Sequence, residues 1–111
     1  MINVVKIGGN VIDDPDALDA FLRRFAALEG PKILVHGGGK EATRLSRDMG
    51  VETRMIDGRR VTDRQTLDIV TMVYAGLIGK RIVATLQALG CDAIGLTGAD
   101  GNVIPATRRP A

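Results

Sequence analysis

One cysteine, Cys91, is all the thiol this chain of 111 residues carries. That excludes an intrachain disulfide framework and fits a reducing compartment. Aromatic side chains are almost absent: Phe21, Phe25 and Tyr74, with no tryptophan. A nucleic-acid surface needs a basic stripe interleaved with stacking platforms, and a net charge of +2 with so few rings supplies neither. Histidine occurs once, at His36, and no Cys, His or carboxylate cluster has metal-ligand spacing, so no protein-held metal is expected. No basic-then-apolar leader opens the chain, and no apolar run looks long enough to cross a bilayer. The expectation is a soluble, cytoplasmic protein with no membrane or nucleic-acid partner, of about one modest domain.

What the chain does have is glycine at the ends of apolar runs. Ile33-Leu34-Val35 runs into His36-Gly37-Gly38-Gly39, and Lys40-Glu41-Ala42-Thr43-Arg44-Leu45 follows as a helix-compatible stretch. That order reads as buried strand, tight turn, helix N-terminus. Glycine there permits positive φ and removes the Cβ between backbone and ligand. Free N–H groups and the helix dipole then favour a carboxylate or phosphate oxygen. Ile2 to Ile7 likewise ends at Gly8-Gly9, with Lys6 beside them. Strand ends are where open α/β sheets bind ligands, so Lys6 reads either as a solvated lysine or as a cation aimed at the same anion.

Between these strands Asp14-Pro15 starts a helix, with a capping carboxylate and proline at the first position. Leu18, Phe21, Leu22, Phe25 and Leu28 give it one apolar face, and Gly30-Pro31 stops it. Ala42, Leu45 and Met49 mark the face of the next helix, closed by Gly50. Strand, helix, strand, helix is the βαβ pattern of a parallel sheet with covering helices. An inserted β-hairpin is expected within 51–62, around Asp57-Gly58, where both turn positions tolerate positive φ. Arg59 and Arg60 lie on its returning arm, as solvated arginines or as a fork that grips a carboxylate.

Thr62-Asp63-Arg64-Gln65 resembles a capping box with the Thr62 hydroxyl at the cap. Leu67, Val70, Tyr74 and Leu77 then mark a helix face, which Gly76 and Gly79 interrupt before Ile82, Val83, Leu86 and Leu89 resume. Cys91 to Leu96 reads as a third strand, Thr97 to Gly101 as a turn, and 102–104 as the start of another hairpin.

Two glycine loops, a lysine and a hairpin arginine are parts of an electrostatic site. No nucleophile with an adjacent general base is visible, and His36 reads first as a hydrogen-bonded structural residue. Such a site suits phosphoryl transfer, in which the protein positions reactants and neutralises charge. The triple glycine is not a Walker A loop, since no Gly-Lys-Ser/Thr ends it. It also lacks the third spaced glycine of a dinucleotide fingerprint. A Rossmann-like dinucleotide binder is therefore a weaker reading than an anion-binding α/β domain.

Lys6-Ile7-Gly8-Gly9, Val35-His36-Gly37-Gly38-Gly39 and Gly58-Arg59-Arg60-Val61-Thr62 resemble the three ordered N-terminal motifs of the N-acetylglutamate kinases, a branch of the amino acid kinase family. The likeness continues through Asp68-Ile69-Val70-Thr71-Met72-Val73 and Gly95-Leu96-Thr97-Gly98-Ala99-Asp100-Gly101, so it covers nearly the whole chain. Isopentenyl phosphate kinases and aspartokinases fit worse, the first at Lys40-Glu41-Ala42-Thr43 and the second at Asn10-Val11. Arg59 departs from a common leucine, and the Gly-Arg-Arg-Val-Thr form looks most like the Bacteroidetes-type branch, where the substrate is N-acetyl- or N-succinyl-L-glutamate.

The resemblance implies a three-layer αβα sandwich with a mainly parallel sheet, of which 1–111 is the N-terminal, acyl-amino-acid-binding half, without the C-terminal nucleotide-binding half. It implies an ATP-dependent kinase of arginine biosynthesis that phosphorylates the side-chain carboxylate of an N-acyl-L-glutamate, with Mg2+ accompanying ATP. Lys6 would be the catalytic transition-state stabiliser, and Gly8 and Gly9 would lie against the ATP phosphates. Backbone groups of Gly38 and Gly39 would hold substrate or the transferred phosphoryl, and Arg60 would grip the substrate α-carboxylate. It also implies a homo-oligomer, since the family commonly forms dimers through this half. As an incomplete part the chain is expected to be inactive alone; the rival reading is a non-enzymatic acyl-amino-acid-binding or regulatory module.

Overall fold

A computed structural model describes residues 1–38, 40–52 and 54–108. Strand β1 (Asn3–Lys6) pairs in parallel with β2 (Lys32–Val35), in a register that sets Asn3 opposite Lys32 and Lys6 opposite Val35. The ladder runs one bond further, with the Ile7 N–H donating to Val35 O at 3.0 Å. A parallel pair needs a crossover, and here it is the short helix α1 (Gly9–Ile12) followed by α2 (Pro15–Ala27). The Asp14 carboxylate caps α2 by accepting from the N–H groups of Asp16 and Ala17, and Pro15 fills the first helical position as expected. At the other end Lys32 Nζ donates to the carbonyls of Ala26 (2.9 Å) and Leu28 (2.6 Å), satisfying acceptors that the helix itself cannot. Its ammonium also lies 5.2 Å from the centre of the Phe25 ring.

Helix α3 (Glu41–Asp48) follows the triple glycine, and Gly50 closes it with φ +74°. Its buried face is Ala42 and Ser46, whereas Met49, expected on that face, is exposed. Strands β3 (Arg54–Ile56) and β4 (Arg59–Val61) form the expected antiparallel hairpin. Asp57 (φ +51°) and Gly58 (φ +72°) both sit in the left-handed region, as a two-residue loop matching strand twist requires.

The next helix is one continuous rod built of three segments: α4 (Arg64–Val70), a π-helical stretch (Thr71–Ile78) and α5 (Gly79–Ala88). Its cap is Asp63, one residue later than expected; the Asp63 carboxylate accepts from the Thr66 N–H at 2.8 Å, while the Thr62 hydroxyl turns back to Arg60 O. The glycines at 76 and 79 do not break the rod. Instead the buried series Thr66, Ile69, Val73, Ile78, Ile82, Leu86 contains a single five-residue step, from Val73 to Ile78. An i→i+5 backbone turn supplies it, with the Gly79 N–H reaching Tyr74 O. The face expected from Leu67 and Leu77 is therefore out of phase, and both are exposed. The rod from Arg64 to Ala88 is also long and apolar enough to cross a membrane, with mean hydropathy 1.5 over its most apolar 18 residues, which corrects the expectation that no such stretch exists. Its buried side chains pack into the core, and Arg64, Lys80 and Arg81 punctuate it, so it serves as a core helix.

Residues 91–96 do not form the expected third strand. Among the described residues no strand lies beside them to take their hydrogen bonds, and Ile94 (85%) and Leu96 (67%) stand in solvent. The segment is instead tied to α5, with Cys91 N–H on Leu86 O and the Gln87 amide bonded to Asp92 and to the Ala93 N–H. The turn at 97–101 forms as expected around the Asp100 carboxylate, which accepts from the Thr97 N–H and hydroxyl. It continues into a 3-10 turn (Asp100–Asn102), not a hairpin.

The core is Ile7, Ile12, Leu22, Phe25, Ala42, Ile69, Val73, Ile78, Ile82 and Leu86, with Val5 and Leu34 of the sheet packed against it. Val4, Ile33 and Val35 point the other way and are exposed. The sheet is thus covered on one face and bare on the other, although parallel sheets are ordinarily buried on both.

Two carboxylates, one at a helix cap and one in a turn, carry a pH dependence. Hydrogen bonds from the Thr66 backbone and hydroxyl hold the Asp63 carboxyl below the usual carboxylate range. The Thr97 backbone and hydroxyl do the same for Asp100. A depressed folded-state pKa contributes stability that is present above the unfolded pKa and lost as pH falls through the folded one. Acidification is therefore expected to lower the thermal midpoint, and Asp63→Asn with Asp100→Asn to flatten that slope, which a series of melts at descending pH would measure.

Candidate functional site

The register of β1 on β2 decides where the glycine loops leave the sheet. Lys6 and Val35 are paired as the last residues of neighbouring strands, so the two loops emerge side by side at one sheet edge. Lys6 is exposed there, directly before the buried Ile7. Gly8 caps α1 with φ −89°, and a Cβ on it would meet nothing within 4 Å, leaving open room above the backbone. Gly9 is the first residue of that helix.

In the second loop the expected positive φ is not found at Gly37 or Gly38. The physical reason for glycine at 38 is a close approach. A Cβ there would overlap the Cδ1–Cε1 edge of the Tyr74 ring, on the π-helical stretch. Gly39, the other backbone donor expected to hold substrate, lies outside the described residues. His36 takes the structural part: its Nδ1 lies 2.8 Å from Gly37 O, which fixes the proton on Nδ1 because a carbonyl can only accept. A further tie closes the loop from the far side. The Lys40 N–H, where α3 begins, donates to the Asp13 carboxylate at 3.1 Å, joining the segment after the first glycine pair to the end of the second loop.

The hairpin delivers Arg60 to the same neighbourhood. Its Nη2 donates to Thr43 Oγ1 in the first turns of α3 at 3.2 Å. Its Nη1 is buried and has no hydrogen-bond partner among the described residues. A buried guanidinium N–H without an acceptor is costly, and an anionic oxygen is what would satisfy it. Arg59 points to solvent. The structure therefore brings Arg60 to the helix that follows the triple glycine, and sets Lys6, Gly8 and Gly9 on the adjoining strand end. Residues that sequence reasoning passed over are Asp13, Thr43 and Tyr74. Each acts through a contact across at least 17 positions of chain, for which local spacing offers no signal. Among the described residues no three His, Cys, Asp or Glu side chains come together as metal ligands.

Two glycine loops at the ends of a parallel strand pair, beside a hairpin arginine, define an α/β domain with a candidate anion site at its strand ends. The model of the amino acid kinase family matches residues 1–110, and the chain belongs to that family. It is 60% identical over 107 residues to the acetylglutamate kinase of Cytophaga hutchinsonii, covering 96% of this chain and 40% of that protein. The acetylglutamate kinase of Phocaeicola vulgatus is 53% identical, over 98% of this chain and 42% of its own length. That of Methanopyrus kandleri is 44% identical, over 97% and 41%. The motif resemblance to acetylglutamate kinases is borne out, and the chain spans about 40% of the length of the curated relatives it matches. The structure of smu.665 from Streptococcus mutans UA159 shares the fold, with a TM-score of 0.60 and 27% identity over 80% of this chain and 37% of that one.

Proposed function

We propose that this chain is the acyl-amino-acid-binding part of an ATP-dependent kinase acting on N-acetyl- or N-succinyl-L-glutamate in arginine biosynthesis. A side-chain carboxylate oxygen of the substrate attacks the γ-phosphorus of ATP, the bond from that phosphorus to the bridging oxygen breaks, and ADP leaves, giving an acyl phosphate. Catalysis of this kind is positioning and charge neutralisation. Arg60 grips the α-carboxylate through its fork, and backbone groups of Gly38 and Gly39 hold the substrate or the transferred phosphoryl. Gly8 and Gly9 lie against the ATP phosphates, and the Lys6 ammonium offsets charge on the phosphoryl in flight. Mg2+ accompanying ATP would supply charge neutralisation at its phosphates. The nucleotide half lies in the further length that the relatives have, and the protein works in the cytoplasm as a homo-oligomer.

The single observation that carries this reading is Arg60, fastened to Thr43 beside the glycine loop with Nη1 buried and unsatisfied among the described residues. Arg60→Ala is expected to weaken N-acetyl-L-glutamate binding about 10- to 100-fold, the worth of a charge-assisted hydrogen bond. Calorimetric titration with the acetyl and succinyl compounds measures this and names the acyl group from the tighter of the two. Unchanged affinity in Arg60→Ala would remove the assignment. Acylglutamate binding without any ADP formation, in a form as long as the relatives, would favour the binding-module reading.

A further inference from the structure

We infer that Tyr74 is a positioning residue for the triple-glycine loop, and that the π-helical stretch is the device that sets its ring there. The inference rests on the reading of that loop as the substrate-holding one.

Three observations converge. The Tyr74 ring lies so close over Gly38 that a Cβ at 38 would overlap its Cε1 and Cδ1 atoms. Gly38 is buried, and the half-buried ring packs against the core, so the ring forms a floor between the core and the loop. The backbone of Tyr74 is held by the wide turn itself, because its carbonyl accepts from the Gly79 N–H five residues on. A Cβ at Gly79 would come within 2.9 Å of that same carbonyl and 3.8 Å of His36 Nε2. Glycine at 79 thus lets the wide turn close, with His36, just past β2, at ordinary contact distance from it.

The turn is not required by the core. Regular α-helical spacing would carry the buried series from Val73 to position 76 or 77, which Gly76 and Leu77 occupy, both exposed here. The rod takes on one extra residue, and in doing so presents Tyr74 to the loop. Such π-type turns cost regular hydrogen-bond geometry and recur at functional sites. His36 completes the arrangement, with Nδ1 bonded to Gly37 O and Nε2 turned toward Gly79, so the loop is held from the strand side and the helix side together. What the ring supplies is rigidity: a glycine loop pays the largest backbone entropy on ordering, and a fixed floor reduces what a ligand must order.

The test separates this from a merely structural role. Amide hydrogen exchange is followed at Lys40 and Glu41, whose N–H groups donate to Asp13 and to Gly38 O, with helix amides at Leu22 and Ile82 as controls. Tyr74→Ala is expected to speed exchange at Lys40 and Glu41 by about tenfold or more while the controls hold, since local opening is set by local contacts. Tyr74→Phe, which keeps the ring, is expected to restore the slow rates. Unchanged loop exchange in Tyr74→Ala, or equal acceleration at Leu22 and Ile82, would overturn the inference. The same variants titrated with N-acetyl-L-glutamate are expected to show weaker binding for Tyr74→Ala and normal binding for Tyr74→Phe. Exchange without ligand decides the positioning, whereas absence of binding in the unaltered protein would count against the proposed function alone.

Discussion

Gly38→Ala is expected to cost about 1–3 kcal/mol of stability, as overpacking at a filled site does, and to abolish measurable acylglutamate binding. The new methyl group has no space to enter. It would overlap the Tyr74 ring, and the ring is backed by the core. Either the loop lifts off the helix or the ring leaves its rotamer, and both outcomes displace the backbone that faces the ligand. Chemical denaturation and calorimetry on the same sample read the two effects. A paired variant sharpens the claim: Gly38→Ala with Tyr74→Ala should recover much of the lost stability, because the clash is gone, yet recover none of the affinity. Additive losses in the pair would show that the two residues do not touch in solution.

Leu22→Ala is expected to remove about 2–5 kcal/mol, a large fraction of the stability of a small domain. Leu22 is 1% exposed on α2, among the most deeply buried of the large side chains. Truncation loses its transfer energy and leaves a cavity among the close-packed side chains of the core. The midpoint of urea unfolding measures it. Leu28, the first residue past the end of α2 and 40% exposed, provides the contrast: Leu28→Ala should change the midpoint little.

Much of this architecture is written in short-range signals. Asp14-Pro15 announces α2 because cap and first turn are adjacent in sequence. Asp57-Gly58 announces the hairpin because positive φ at two consecutive positions is a local demand that few residues meet. β1 and β2 are legible as β-branched runs that stop at glycine, and their strand ends correctly foretell where Lys6 and the loops lie. Contacts that reach across the chain are not legible. Residues 91–96 have the composition of a strand, but a strand also needs a neighbour, and composition says nothing of whether one is present. The Thr62 cap failed narrowly, since Asp63 offers a stronger acceptor one position later. Gly38 reads in sequence as backbone freedom, whereas in the structure it is a seat for the Tyr74 ring, 36 positions away. Thr43 reads in the sequence only as part of a helix-compatible run, yet it is what fastens Arg60.

The five-residue step in the long rod has a consequence for how its length could vary. Deleting one residue between 74 and 77 would bring Ile78 to a four-residue spacing from Val73, and every buried side chain from Thr66 to Leu86 would then fall on an uninterrupted α-helical stripe. Such a shortened helix would keep its core contacts and gain regular hydrogen bonds, while the ring beneath the glycine loop would swing aside. The insertion is therefore nearly silent in the packing of the molecule and expressed almost wholly in its loop. An insertion-and-deletion scan of this one helix would separate the demands of folding from those of the site more cleanly than side-chain substitution can.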